Sequence, residues 1–402
     1  MLRRFGLNRN LALLTASLML WGFGFGLYAV FWPLYVEKLG GGPSAIGLIT
    51  MIGGLATAAA VLPGGVWADR GRTKPVLLWG WAVAVPAPLL FIWAHSWPAL
   101  IPGVLLYFGS SFSTPAVQAY VAAEAGPKLS VAYNVVMAAF ALGAVVGPVL
   151  GGQLMPRIGY HGVFALAAAV YAVSTLALWP LTERRQGAAI RAARAGIGGP
   201  LQDERLKPWL GIGILLAAAG ALCGPYIVPF WRTYGGLSLQ SIGLLGSITT
   251  LAAAAASPFW GRAAERHGLA GPVALGLAGV AGGLTMVWAW PAAAGVQAFG
   301  AFLRGTGAAA HGLVGVAVGR VARGGQVGVA YAWMNALMEV AGALAPYPGA
   351  LLYQWRPSAP MLVTALIFGM TAVLVATRGP RRPAVLRPAG YQTGESSARR
   401  VR

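Results

Sequence analysis

Apolar stretches of about 20 residues recur along this chain, and at about 1.5 Å of rise per residue each is long enough to cross about 30 Å of hydrocarbon as a helix. Within lipid a helix is one of the few folds that pairs all of its own backbone polar groups. The runs fall near 11–35, 45–66, 75–94, 99–121, 131–154, 162–181, 208–231, 241–260, 272–290, 296–318, 328–353 and 360–377. Twelve crossings put both termini on one face of the membrane. The Lys and Arg residues then divide 24 to 4 between the tails with their alternate breaks and the opposite breaks, which hold Lys38, Arg157, Arg232 and Arg356. That asymmetry is the positive-inside pattern and predicts cytoplasmic termini. The fold class expected is therefore all-α, a multi-pass protein of the cell inner (plasma) membrane with twelve transmembrane helices in two six-helix bundles.

Other classes fit poorly. Only 9% of the 402 residues are charged and 57% are apolar, against roughly 25% charged in a soluble domain. The net charge of +20 suits a nucleic-acid partner only when it covers a soluble face. Here the charges sit in the breaks and in the basic tail, so membrane headgroups are the expected neighbours. Cys223 is the single cysteine, and His95, His161, His267 and His311 lie in four different segments. No zinc-type His-Glu-x-x-His or phosphate-cradling Gly-x-x-x-x-Gly-Lys occurs, so neither a metal, a cofactor nor covalent catalysis is expected. Arg3, Arg4 and Arg9 ahead of an apolar run imitate a signal peptide. The run is too long and lacks a small-residue cleavage site, so it reads as the first crossing.

The chain repeats itself at an offset of 196 to 198 residues. Ala45-Ile46-Gly47-Leu48 recurs as Ser241-Ile242-Gly243-Leu244. Gly65 with Asp69-Arg70-Gly71-Arg72 recurs as Gly261 with Glu265-Arg266-His267-Gly268. Tyr133 followed by Gly147-Pro148 and Gly151-Gly152 recurs as Tyr331 followed by Ala345-Pro346 and Gly349-Ala350. Three matches in order indicate duplicated halves. The expected organisation is an N-terminal bundle over 1–182, a cytoplasmic linker over 183–207, a C-terminal bundle over 208–377 and a basic tail over 378–402.

The segment Gly65-Val66-Trp67-Ala68-Asp69-Arg70-Gly71-Arg72-Thr73-Lys74 resembles the signature between helices 2 and 3 of the major facilitator superfamily, although it lacks the residue usually found between Arg70 and Gly71. Its second copy, Gly261 to Gly268, keeps the usual spacing. The resemblance implies a secondary carrier whose cytoplasmic gate includes Gly65, Asp69, Arg70, Gly71, Arg72, Gly261, Glu265, Arg266 and Gly268. A carboxylate such as Asp69 at a helix end can meet helix dipoles or arginines in one conformation and lose them in another. The plainer alternative is a hydrophilic turn. Gly143, Gly147, Pro148, Gly151 and Gly152 resemble the motif of the drug and proton antiporter branch. Small residues four apart allow close backbone approach and a proline can bend a helix, so these residues are candidates for a pivot or simply for tight packing.

Charges inside a crossing are costly, which singles out Arg304 and Glu339. Their depths are similar, and facing helices would let them pair. Glu339 is then a candidate proton carrier, because burial raises a carboxyl pKa and a neighbouring arginine lowers it. A static ion pair is the equal alternative, and an anionic solute received by Arg304 is a third. His311 shares a face with Arg304, and Asn335 and Tyr331 share one with Glu339. The N-terminal half has no carboxylate at comparable depth, since Glu37 falls in an outer loop and Glu124 at the inner end of the fourth crossing. Trp21, Phe25, Tyr28 and Trp32 form one aromatic face which, with Tyr107, Ser111, Gln118 and Tyr226, is a candidate lining for a mostly apolar cavity. Core packing is the alternative for that stripe, and Asn134 is a further polar candidate. Export of small organic or amphipathic compounds, with protons as counter-ion, is the expectation; uptake of a nutrient such as a sugar or organic anion is the alternative. No obligate protein partner is indicated.

Overall fold

Helix boundaries follow local backbone chemistry. The computed structural model describes residues 8–69, 73–125, 129–182, 203–322 and 327–378. Asn8 caps α1 (Arg9–Ala29), its side chain accepting from the Leu11 N–H at 2.8 Å. The first expected crossing does not run straight to residue 35. It breaks at Val30 and Phe31, and α2 (Trp32–Lys38) restarts with Pro33 in its first turn, where the missing N–H costs no helical hydrogen bond. Then come α3 (Pro43–Asp69), α4 (Thr73–Ala84), α5 (Pro86–Ile92), α6 (Ile101–Gly109) and α7 (Thr114–Ala125). Between α6 and α7 the chain tightens into a 3-10 turn, Ser110–Ser113, in which the Ser113 hydroxyl donates to the Ser110 carbonyl at 2.8 Å.

The two crossings expected at 131–154 and 162–181 form one element, α8 (Leu129–Leu178), and no loop separates them. The reversal is made by Gly159, whose φ of 69° lies in the left-handed region open to glycine. After it come α9 (Lys207–Thr233), α10 (Leu239–His267), α11 (Ala270–Ala289), α12 (Ala294–His311), α13 (Leu313–Val321), α14 (Val327–Leu344), α15 (Pro346–Trp355) and α16 (Ala359–Arg378). Pro346 divides the eleventh expected crossing into α14 and α15. Among the described residues ten helical stretches are long and apolar enough to cross a membrane, and one of them, Val131–Leu178, has 48 residues, about twice the length one crossing needs. The protein is a multi-pass, all-helical integral membrane protein. Exposed Trp79 and Trp179 near one end of the bundle, and Trp93, Trp290 and Trp355 near the other, match the aromatic belts of membrane interfaces.

Helices in lipid gain little from burying apolar surface against one another, so close backbone packing matters more. The two arms of α8 enclose α1. A Cβ on Gly26 would stand 3.0 Å from the Gly147 Cα, and one on Gly24 would stand 2.7 Å from the Tyr171 ring. Ser17 and Ser174 tie the second arm to α1, each hydroxyl donating to the other's carbonyl, at 2.9 and 2.8 Å. The Trp81 indole N–H adds a bond to the Ser174 hydroxyl at 3.1 Å. In the second half, α11 packs along α12 and α16, and Thr364 on α16 donates to the Ala219 carbonyl of α9 at 2.9 Å.

Gly143 faces the α1 backbone so closely that an added Cβ would meet the Phe23 nitrogen at 2.6 Å. Gly143→Leu should therefore cost about 1–3 kcal/mol through overpacking, read as a lower melting temperature of the detergent-solubilised protein. Gly211→Ala, at a position with open space, should leave that temperature unchanged.

Candidate solute site and gates

The halves meet along two symmetric seams. In one, a Cβ on Gly47 of α3 would stand 2.8 Å from the Pro346 carbonyl oxygen and 3.0 Å from the Ala350 Cβ. In the other, Gly243 of α10 abuts the Pro148 carbonyl of α8 and Gly152 abuts the Leu239 carbonyl. Thus Gly143, Gly147 and Gly151 turn toward α1 while Pro148 and Gly152, on the adjacent face, turn toward the other half. Hydrogen bonds between the halves, among the described residues, run from Gln354 to Ser44 at 2.8 Å, from the Tyr226 hydroxyl to the Pro43 carbonyl at 3.5 Å, and from the Ser247 hydroxyl to the Val145 carbonyl at 2.5 Å. All lie between the helix ends remote from the termini and the middle of the bundle. Toward the termini, Gly65 and Gly261 have open space around them.

The gate copies lie at that open end. Asp69 is the last residue of α3; its side chain, together with Arg70, Gly71 and Arg72, lies outside the described residues. Glu265 and Arg266 are exposed in the last turn of α10, and Gly268 ends that helix with a φ of 81°. Glu124 lies at the end of α7 and is hydrogen-bonded to Asn8.

Arg304 and Glu339 do not pair: among the described residues the ion pair is Lys207–Glu204, at 2.6 Å. The facing of their helices accounts for this, since α12 packs on α10 and α11 whereas α14 packs on α9 and α3. Arg304 lies instead with its guanidinium carbon 5.1 Å from the centre of the Trp231 ring. Its buried Nε has no hydrogen-bond partner among the described residues, and neither has His311 Nε2 at the end of α12. Glu339 and Asn335 are exposed on α14. Ala343, one turn beyond Glu339 on the same face, lies against Gly54 of α3.

A cavity of about 490 Å³ lies between the halves and is lined by Trp32, Thr50, Trp231, Thr249, Thr250 and Arg304 among others. A second, of about 310 Å³, sits within the first half and includes Trp21, Trp81, Tyr107, Ser111, Gln118 and Tyr133. A small one of about 80 Å³ touches Phe25, Tyr28, Trp32 and Tyr107, sharing Trp32 with the first and Tyr107 with the second.

The aromatic face of α1 is therefore divided between lining and packing. Phe25 stacks on Tyr107 at 5.6 Å, and buried Tyr28 shares a hydrogen bond of 3.1 Å with Tyr171. Tyr226 lines none of these cavities. It is fully buried and donates to the Pro346 carbonyl at 2.6 Å, so its phenol holds the closed end together. Sequence reasoning passed over Trp231, Gln297, the three threonines and Tyr171. Gln297 is fully buried, accepts from the Trp231 indole N–H at 2.6 Å and donates to the Met286 and Trp290 carbonyls. A glutamine two helical turns from Arg304 on a membrane helix was the available signal.

The sequence profile of the Major Facilitator Superfamily matches residues 14–234 and 209–399. The chain belongs to the major facilitator superfamily. Members of this family carry small molecules across membranes. A protein of Deinococcus radiodurans provisionally named a sugar efflux transporter is 33% identical over 202 residues, 48% of this chain and 51% of that one. The match thus spans about half the length of that relative. The multidrug resistance protein MdtG of Citrobacter koseri is 29% identical over 277 residues, 65% of this chain and 68% of its own. The nucleoside transporter NupG has a solved structure of the same fold, with a TM-score of 0.76 at 13% identity, covering 92% of this chain and 98% of that one.

The seam at Gly243 has no room for a side chain. Gly243→Leu should open the closed end of the transporter, and a maleimide reagent should label a cysteine placed at Ser44 several-fold faster in that background than in the parent.

Proposed function

We propose that this protein is a secondary carrier that exports small organic or amphipathic compounds by alternating access, with protons as the counter-ion. The observation that carries the reading is where the halves touch: among the described residues their contacts run from the remote ends to the middle, a cavity lies between them, and Gly65 and Gly261 toward the termini have open space. With cytoplasmic termini this is the inward-open state, ready to receive a solute from within the cell. Export also agrees with the efflux and multidrug names of the two relatives above, and the glycine–proline motif of α8 points to the same branch.

Transport then consists of rocking 1–182 against 208–377 about the seams at Gly47–Pro346 and Gly243–Pro148. Asp69 and Arg70, with Glu265 and Arg266, meet partners at the cytoplasmic end when that end closes. Closure also covers the exposed Glu339. A carboxylate losing water there is disfavoured unless it binds a proton, and this links protonation to the conformational step. No carboxylate lies at that depth in the first half, which speaks against proton coupling and leaves a facilitator or a differently coupled carrier as the alternative. A carrier or facilitator for uptake of a nutrient such as a sugar or organic anion is the second reading.

Everted vesicles energised by a proton gradient, offered labelled glycosides, organic cations and organic anions, test the direction. Accumulation supports export; accumulation only in right-side-out cells supports uptake. Glu339→Gln should abolish gradient-driven accumulation while leaving solute exchange intact, and wild-type accumulation by that variant would remove Glu339 from the mechanism. Asp69→Asn should lose about tenfold in turnover, equivalent to about 1.4 kcal/mol on a barrier, with unchanged affinity. Loss of affinity alone would make Asp69 something other than a latch.

A further inference from the structure

The cavity between the halves has a charge preference of its own. We infer that the transporter's solute is an amphipathic organic anion whose acidic group is received by Arg304, with its apolar body held between Trp32 and Trp231. This rests on the cavity being the transport site and is independent of the direction of transport.

Arg304 is the only charged group among the residues that line this cavity. It stands ten residues into α12, about 15 Å from that end at about 1.5 Å per residue, and so near the middle of a core of about 30 Å. An arginine at that depth ordinarily faces a carboxylate or a watery space. Here Trp231 is its neighbour and its Nε is without an acceptor among the described residues. A π face favours the cation without neutralising it and leaves the planar edge of donors for a carboxylate, sulfonate or phosphate.

The other polar groups of the lining point to the same division of labour. The hydroxyls of Thr50, Thr249 and Thr250 donate to the carbonyls of Ile46, Leu245 and Gly246 at 2.7, 2.9 and 3.1 Å. Their protons are thereby spent within their own helices, and they offer the cavity lone pairs, which suit hydroxyl or amide donors on a solute rather than its anionic group. The Trp231 N–H is likewise committed to Gln297. An organic cation would find no countercharge in this lining and would face the guanidinium. The remaining surface, from Ala29, Val30, Pro33, Pro225, Ile227 and Val228, is apolar. A volume of about 490 Å³ is in the range of sites that enclose drug-sized ligands.

Gln297 is a positioning residue. Its carbonyl oxygen fixes the Trp231 indole while its amide is anchored on two backbone carbonyls, so the ring is held where it meets Arg304.

The test uses three probes of one shape: 2-naphthoate, 2-naphthamide and 2-naphthylmethylammonium, titrated into the detergent-purified full chain and followed by tryptophan fluorescence and melting temperature. Naphthoate should bind at least tenfold more tightly than the other two. Arg304→Met should abolish that preference, Arg304→Lys should retain part of it, and Gln297→Leu should weaken naphthoate binding while keeping the charge preference. Variants count only if they elute as the parent does in size-exclusion chromatography, and Arg304→Lys supplies the reading if Arg304→Met misfolds. Tighter binding of the cation, equal binding of all three or none, or an unchanged preference in Arg304→Met would overturn the inference. Since binding is read at equilibrium, these outcomes stand apart from the vesicle result on direction.

Discussion

Close backbone contact at small residues is the constraint on which the architecture depends. In lipid there is no solvent-driven gain in covering leucine with leucine, and helix pairs hold where backbones approach closely. Gly22 and Gly26 of α1 lie against Gly143, Gly147 and Gly151 of α8, and this ridge fixes the first half as a rigid unit. The same helix then presents Pro148 and Gly152 to α10. One motif therefore makes contacts on two faces, binding a helix within its half on one and meeting the other half on the next.

The site inherits its properties from that arrangement. With α12 held on α10 and α11, Arg304 looks across to α9 rather than to α14, and it meets Trp231 instead of Glu339. Separation of the two charges divides the chemistry between two places. The guanidinium lies in the cavity, and the carboxylate is exposed on α14. A joined pair would have locked helices together and served neither role well.

Much of this was legible in the sequence because membrane folding writes long, simple signals. Apolar runs located the helices, and the offset of 196 to 198 residues marked the duplication. What spacing alone did not reveal is that the repeated elements face each other crosswise, Gly47 on Pro346 and Gly243 on Pro148. Depth along a helix was readable, but its rotation was not, because membrane helices are apolar nearly all round and carry little periodic contrast. That is why the Arg304–Glu339 pairing failed and why Tyr226, expected in the cavity, proved to close the bundle. Trp231 and Gln297 escaped notice because neither carries a charge, although together they hold the one deep arginine in place.

Gly159 gives α8 a mechanical character that a longer loop would not. With the reversal made at one residue, the arms over 129–158 and 160–178 have no slack between them. The first arm bears on α10 in the opposite half, and the second is hydrogen-bonded to α1 through Ser174 and Tyr171. The helix carrying the aromatic wall of the cavities is thus gripped twice, by the seam-bearing arm through its glycine face and by the other arm through hydrogen bonds, so a lengthened elbow would spare the first grip and loosen only the second.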